Sequence, residues 1–160
     1  MEIKRRPVHL LSKNEMAKWN SVVGDMVMYH GAIEFMSLQW IAALSEDLVL
    51  HNVAVDLRFA KRIEIIQMLI ERADWAKNRK QQAALLWKEA ASLLEKRNKL
   101  VHNPICTRTN SEGKIEIGII DSKKMRRTDT LAIIPFSRGE IADIGNRLCK
   151  LFQRLQEFSV

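Results

Sequence analysis

Leu86-Trp-Lys-Glu-Ala-Ala-Ser-Leu-Leu-Glu-Lys-Arg-Asn-Lys-Leu-Val-His-Asn-Pro104 is the stretch that decides the fold. On an ideal helix, at about 100° per residue, Leu86, Ala90, Leu93, Leu94, Leu100 and Val101 fall within an arc of roughly 120°. That is an amphipathic helix with one buried stripe. It begins near Lys80 and stops at Pro104, because a proline pushes the residue before it out of helical geometry. Arg97 lands near the middle of the apolar arc, and Asn98 and His102, four residues apart, share its shoulder. A guanidinium on an apolar stripe is costly unless something pairs with it. Either Arg97 threads its aliphatic stem along the surface with the head in water, or this face is a site or interface that needs a fixed positive charge.

The chain to the N-terminal side supplies two more helices. Met1 to Leu11 reads as an irregular arm, with Pro7 barring a helix interior. Ser12-Lys-Asn-Glu15 is a capping-box sequence, and a helix runs from it to about Leu44. Gly24 and Gly31 weaken that helix, or mark a kink or a close helix crossing. His30 and Glu34 stand one turn apart on it, either as a partly exposed polar edge or with Glu34 as counter-charge to Arg97. As metal ligands they lack a third donor. Periodicity breaks around Glu46 to His51, and a second helix spans roughly Val53 to Lys77. Its inner side carries Val55, Phe59, Ile63, Ile66, Leu69 and Ile70. Arg58, Lys61, Arg62 and Arg72 lie elsewhere, as a solvated face or the floor of a phosphate groove. Trp75 belongs to core or interface, since no second aromatic accompanies it at base-stacking spacing.

Beyond Pro104, Thr107 to Gly113 reads as a polar loop. Residues 114–121 and 130–134 are apolar runs that pair as a β-hairpin, spanning 114–134. The connection holds Lys123, Lys124, Arg126 and Arg127, either solvated or in contact with phosphate. Ser137-Arg-Gly-Glu140 is a second capping box, opening a last helix to about Phe158 with Ile141, Ile144, Leu148, Leu151, Phe152 and Leu155 as its stripe. The expectation is a mostly α fold: an antiparallel bundle of four principal helices with a β-hairpin inserted before the last, in one domain over residues 1–160.

Composition narrows function less sharply. Apolar residues make up 47% of the 160, enough for a core, with no apolar run long enough to span a membrane and no signal-peptide pattern. A cytoplasmic protein without a membrane partner is expected. Cys106 and Cys149 have no metal-like spacing and read as reduced thiols. Lys and Arg number 26 against 19 Asp and Glu, a formal net charge of +7, which favours a polyanionic partner. There is no phosphate-cradling glycine loop and no serine elbow. No cofactor or metal is implied.

Arg97-Asn-x-x-x-His102, followed by Asn103-Pro104, resembles the R-x4-6-H motif of the HEPN superfamily. Asn directly after the Arg, and Leu-Val before the His, match the commonest form of that motif. The expected order of helices also resembles a HEPN bundle. The resemblance implies a metal-independent endoribonuclease that cleaves RNA by 2′-hydroxyl attack, acting as a toxin or phage-defence effector. Arg97, Asn98 and His102 would be its catalytic residues, with Glu34 in support. It implies a homodimer that brings two motifs together, and a cognate antitoxin of nucleotidyltransferase type. The alternative is a HEPN-like dimeric scaffold or nucleic-acid-binding module that has lost catalysis.

Overall fold

A computed structural model describes residues 9–103, 105–109, 112, 115–120 and 133–158. The elements run β1 (His9–Leu10), α1 (Lys13–Leu44), α2 (Leu48–Asp56), α3 (Phe59–Arg72), α4 (Lys77–Val101), β2 (Ile105–Thr109), β3 (Ile115–Ile120), β4 (Ile133–Pro135) and α5 (Arg138–Glu157). The fold is mostly helical with a small antiparallel sheet. No helix among the described residues is long and apolar enough to cross a membrane.

The helix ends follow local chemistry. Ser12 Oγ accepts from the Glu15 N–H at 3.3 Å and starts α1. At Ser137 both halves of the capping box form: Ser137 Oγ accepts from Glu140 N–H, and Glu140 Oε2 accepts from Ser137 N–H at 2.7 Å. These exchanges satisfy N–H groups that the first helical turn leaves without partners.

The region between Glu46 and Lys77 departs from the single helix expected there. Asp47 Oδ1 accepts from the N–H groups of Val49 and Leu50, so α2 begins earlier, at Leu48. The chain then turns extended at Leu57 and Arg58, with ψ of 147° and 144°, before α3 begins. No proline or glycine marks this break. It is held by Arg62, whose Nε donates to the Leu57 carbonyl at 3.1 Å. α3 ends at Arg72, and α4 starts at Lys77 rather than near Lys80. Among the described residues five helices therefore stand where four principal ones were expected.

The sheet is also larger than a hairpin. β3 pairs antiparallel with β4, Ile119 opposite Ile134, as the apolar runs suggested. But Ile105–Thr109, read as the approach to and start of a loop, is a strand between β1 and β3, with Cys106 opposite Gly118. His9 and Leu10, assigned to an irregular arm, pair with Thr107 and Cys106. Pairing with a partner strand overrode a local sequence of polar character. Gly118 is required where β3 meets β4, because an added Cβ would lie 2.5 Å from the Ile134 carbonyl oxygen.

One core unites the helices. Trp19, Met26, Ile33, Trp40 and Ile41 of α1 meet Ile63, Ile66 and Ile70 of α3, Trp87 and Leu93 of α4, and Ile141, Leu148 and Leu151 of α5. The close helix crossing is at Gly145, where an added Cβ would come within 3.7 Å of the Met26 backbone. Gly24 and Gly31, candidates for that role, face open space in an unbroken α1.

Candidate functional site

The stripe of α4 packs inward as its periodicity requires. Leu86, Ala90, Leu93 and Leu100 are buried, Leu94 is half-buried, and Val101 is 39% exposed. The apolar strip around the motif is thus covered mostly by the chain itself.

Arg97 rides this stripe half-buried. Its Nη1 donates to the side-chain oxygen of Asn98 at 3.0 Å. Its Nε is buried and has no hydrogen-bond partner. A buried donor left unpaired costs about 1–3 kcal/mol, so such a group needs an explanation. His102 caps the end of α4; its backbone N–H reaches the Asn98 carbonyl at 3.3 Å, and its residue is exposed. Asn103 Nδ2 donates to the Lys99 carbonyl at 2.6 Å, closing the helix end. Five residues along a helix amount to about 140° of rotation. Arg97 and His102 therefore diverge within one copy of the chain, one set into the core flank and the other in solvent.

Glu34 is placed differently from the expectation. Its Oε1 accepts from Arg62 Nη2 at 2.9 Å, so its cation is Arg62 on α3, not Arg97. Arg62, assigned to a solvated or groove face, is only 7% exposed. Besides Leu57, its Nη1 donates to the Glu34 carbonyl at 3.2 Å and to Ser37 Oγ at 3.4 Å. The signal was present, since Arg62 follows Phe59 by three residues and precedes Ile66 by four, placing it on the edge of the α3 stripe.

His30 lies beside this cluster. It is 4% exposed, its ring stands edge-on to Phe59 at 5.4 Å, and its Nδ1 is 3.9 Å from Glu34 Oε2. Burial lowers its pKa below the usual histidine value, and the Arg97 charge lowers it further, against the pull of Glu34. A neutral imidazole thus sits near Arg97, with Nε2 buried and unpartnered.

Between α3 and α4 a groove of about 380 Å³ runs past Ile63, Gln67 and Leu94 to Asn98, with Glu64 and Glu95 on its walls. A larger concavity, about 710 Å³, lies between the start of α1, β3 and the start of α5, and touches none of the motif residues. Among the described residues no group of three or more His, Cys, Asp or Glu side chains could hold a metal ion. Lys123, Lys124, Arg126 and Arg127, the expected phosphate contacts, lie outside the described residues. Trp75 packs against Phe158 at 5.8 Å with the Arg79 guanidinium 4.6 Å above its ring, a structural role.

No family model matches the chain, and neither the curated proteins nor the solved structures include a significant match.

Proposed function

We propose that this protein is a metal-independent endoribonuclease of HEPN type, working in the cytoplasm as a toxin or defence effector and built on a HEPN-like antiparallel bundle. The observation that carries the reading is Arg97: half-buried, steadied by Asn98, and with a buried Nε that no group among the described residues satisfies. An exposed His102 one helical turn beyond Asn98 completes the motif. The core shared by α1, α3, α4 and α5, with strands inserted before α5, supports the resemblance.

RNA carries its own nucleophile. The 2′-hydroxyl is held next to the phosphorus, so the protein need only move protons and stabilise charge. A histidine exchanges protons near neutral pH, so His102 removes the 2′-hydroxyl proton or protonates the departing 5′-oxygen. Arg97 donates to the phosphorane oxygens as their charge grows. Asn98 holds the guanidinium in place. In-line displacement needs proton transfer on opposite sides of phosphorus, and each chain has one motif histidine. Two copies related by a two-fold axis supply both. The products are a 2′,3′-cyclic phosphate and a 5′-hydroxyl.

Glu64 and Glu95 beside Asn98 favour, within the alternative of a non-catalytic dimeric scaffold or nucleic-acid-binding module, the scaffold, because carboxylates repel a phosphate backbone. Purified protein incubated with RNA in EDTA separates the two. Cleavage is expected, with 2′,3′-cyclic ends, no attack on DNA or 2′-O-methyl RNA, and a loss of about 10² to 10⁴-fold in His102→Ala. Equal cleavage by His102→Ala rules out the enzyme reading.

A further inference from the structure

His30 Nε2 on α1 and Arg97 Nε on α4 are both buried, and neither has a hydrogen-bond partner among the described residues. Their helices bring them to one level. The rings of Trp40 and Trp87 meet at 5.4 Å. His30 lies ten residues before Trp40, and Arg97 ten residues after Trp87. At 1.5 Å per residue each stands about 15 Å from that contact, on the same side of it where α1 and α4 run in opposite directions. The Arg97 charge felt at the His30 ring fits that arrangement, since a parallel pair would hold the two about 30 Å apart.

Each nitrogen has what the other lacks. A neutral imidazole carries a proton on one nitrogen and a lone pair on the other. Glu34 decides which. Its Oε1 is held by Arg62 Nη2 at 2.9 Å, and its Oε2 stands 3.9 Å from His30 Nδ1. A carboxylate on that side favours the proton on Nδ1, so Nε2 presents its lone pair. Phe59, edge-on at 5.4 Å, fixes the plane of the ring. Arg97 Nε–H can only donate. We propose that His30 is a positioning residue for Arg97: when the outer guanidinium nitrogens engage a phosphate, Arg97 Nε–H donates to His30 Nε2. The guanidinium then meets the phosphate end-on through its Nη groups, because Nε is no longer free for a side-on grip. Its direction is set before charge develops on phosphorus. A chain of contacts thus runs from Arg62 on α3, through Glu34 and His30 on α1, to Arg97 on α4. His30 itself, 4% exposed, touches no RNA.

The effect on cleavage rests on the ribonuclease reading, whereas the hydrogen bond needs only a bound phosphate. The test is therefore nitrogen-15 NMR of the histidine rings in the full chain, with 2′-O-methyl RNA as an uncleavable probe. Free protein at pH 7 is expected to show His30 neutral with its proton on Nδ1. Adding the probe should shift Nε2 in the direction of an accepted hydrogen bond, and Arg97→Met should abolish that shift. A proton on Nε2, or an Nε2 signal that the probe leaves unmoved, overturns the proposal. Cleavage supplies a second arm. His30→Phe should cut RNA about 10 to 100-fold more slowly than wild type, the scale for a misdirected group at the reacting atoms. His30→Gln, whose amide oxygen accepts in place of Nε2, should recover most of that rate. Equal rates or equal losses in the two variants, with unchanged circular dichroism, overturn the positioning role. A wild type that cuts no RNA ends the ribonuclease reading alone, and the ring signals still decide the bond between His30 and Arg97.

Discussion

Two arginines lie side by side in sequence logic and apart in physical role. Arg62 on α3 and Arg97 on α4 both sit within or at the edge of an apolar stripe. Arg62 is almost completely buried and fully engaged: Nε with the Leu57 carbonyl, Nη1 with the Glu34 carbonyl and Ser37, Nη2 with the Glu34 carboxylate. Arg97 is less buried, yet among the described residues it donates only to Asn98 and keeps a buried Nε unsatisfied. A guanidinium whose three nitrogens all donate joins helices together. One left partly unsatisfied costs stability, and under the proposed function the compensation is the RNA phosphate it would hold. The difference predicts unequal responses to the same substitution.

The largest stability change falls on Arg62. Arg62→Met leaves the Leu57 carbonyl, Ser37 and the Glu34 carboxylate without their donor. Urea denaturation should show a loss of about 3 kcal/mol, the lower end for breaking a buried pair because Glu34 remains half-exposed to water. A change under about 0.5 kcal/mol would place Arg62 with ordinary surface residues. Glu34→Gln is milder. An amide oxygen still accepts from Nη2, so the loss is that of charge assistance, about 1 kcal/mol. A variant as damaging as Arg62→Met would mean that the charge, not the geometry, holds the junction.

His30 sharpens the comparison through pH. Its folded pKa lies below its ordinary value of 6.5, so the unfolded chain binds the proton more readily. Stability from this group is complete above about pH 6.5 and is lost as pH falls from there toward the folded value, by at most about 1.4 kcal/mol per pH unit. His30→Phe should flatten that part of the stability–pH curve. A wild-type curve already flat between pH 6.5 and 5 would contradict the burial of a neutral ring beside Arg97.

Local sequence was a good guide where local chemistry decides. The caps at Ser12 and Ser137, the stripes of α4 and α5 and the pairing of β3 with β4 could all be read from spacing. The break at Leu57 could not, because its cause is a hydrogen bond from Arg62, and no residue at the break announces it. β2 was missed because Thr107, Arg108 and Thr109 look like a loop until β1 and β3 supply the ladder. At the site, Arg97 donates to the neighbouring Asn98, while His102 turns away from it into solvent. Glu34 was read as a partly exposed polar edge or as counter-charge to Arg97; it pairs with Arg62 instead, and only packing shows which arginine reaches it.

Arg97→Met carries the smallest expected stability effect, within about 0.5 kcal/mol of wild type, since it removes an unpaired buried donor and keeps the aliphatic stem. The most direct test is therefore the RNA cleavage rate of Arg97→Met in EDTA, measured where denaturation curves show it as stable as wild type. The account predicts a fall of about 10² to 10³-fold, the scale for removing a donor aimed at transition-state charge. Unchanged cleavage by a stably folded Arg97→Met would contradict it.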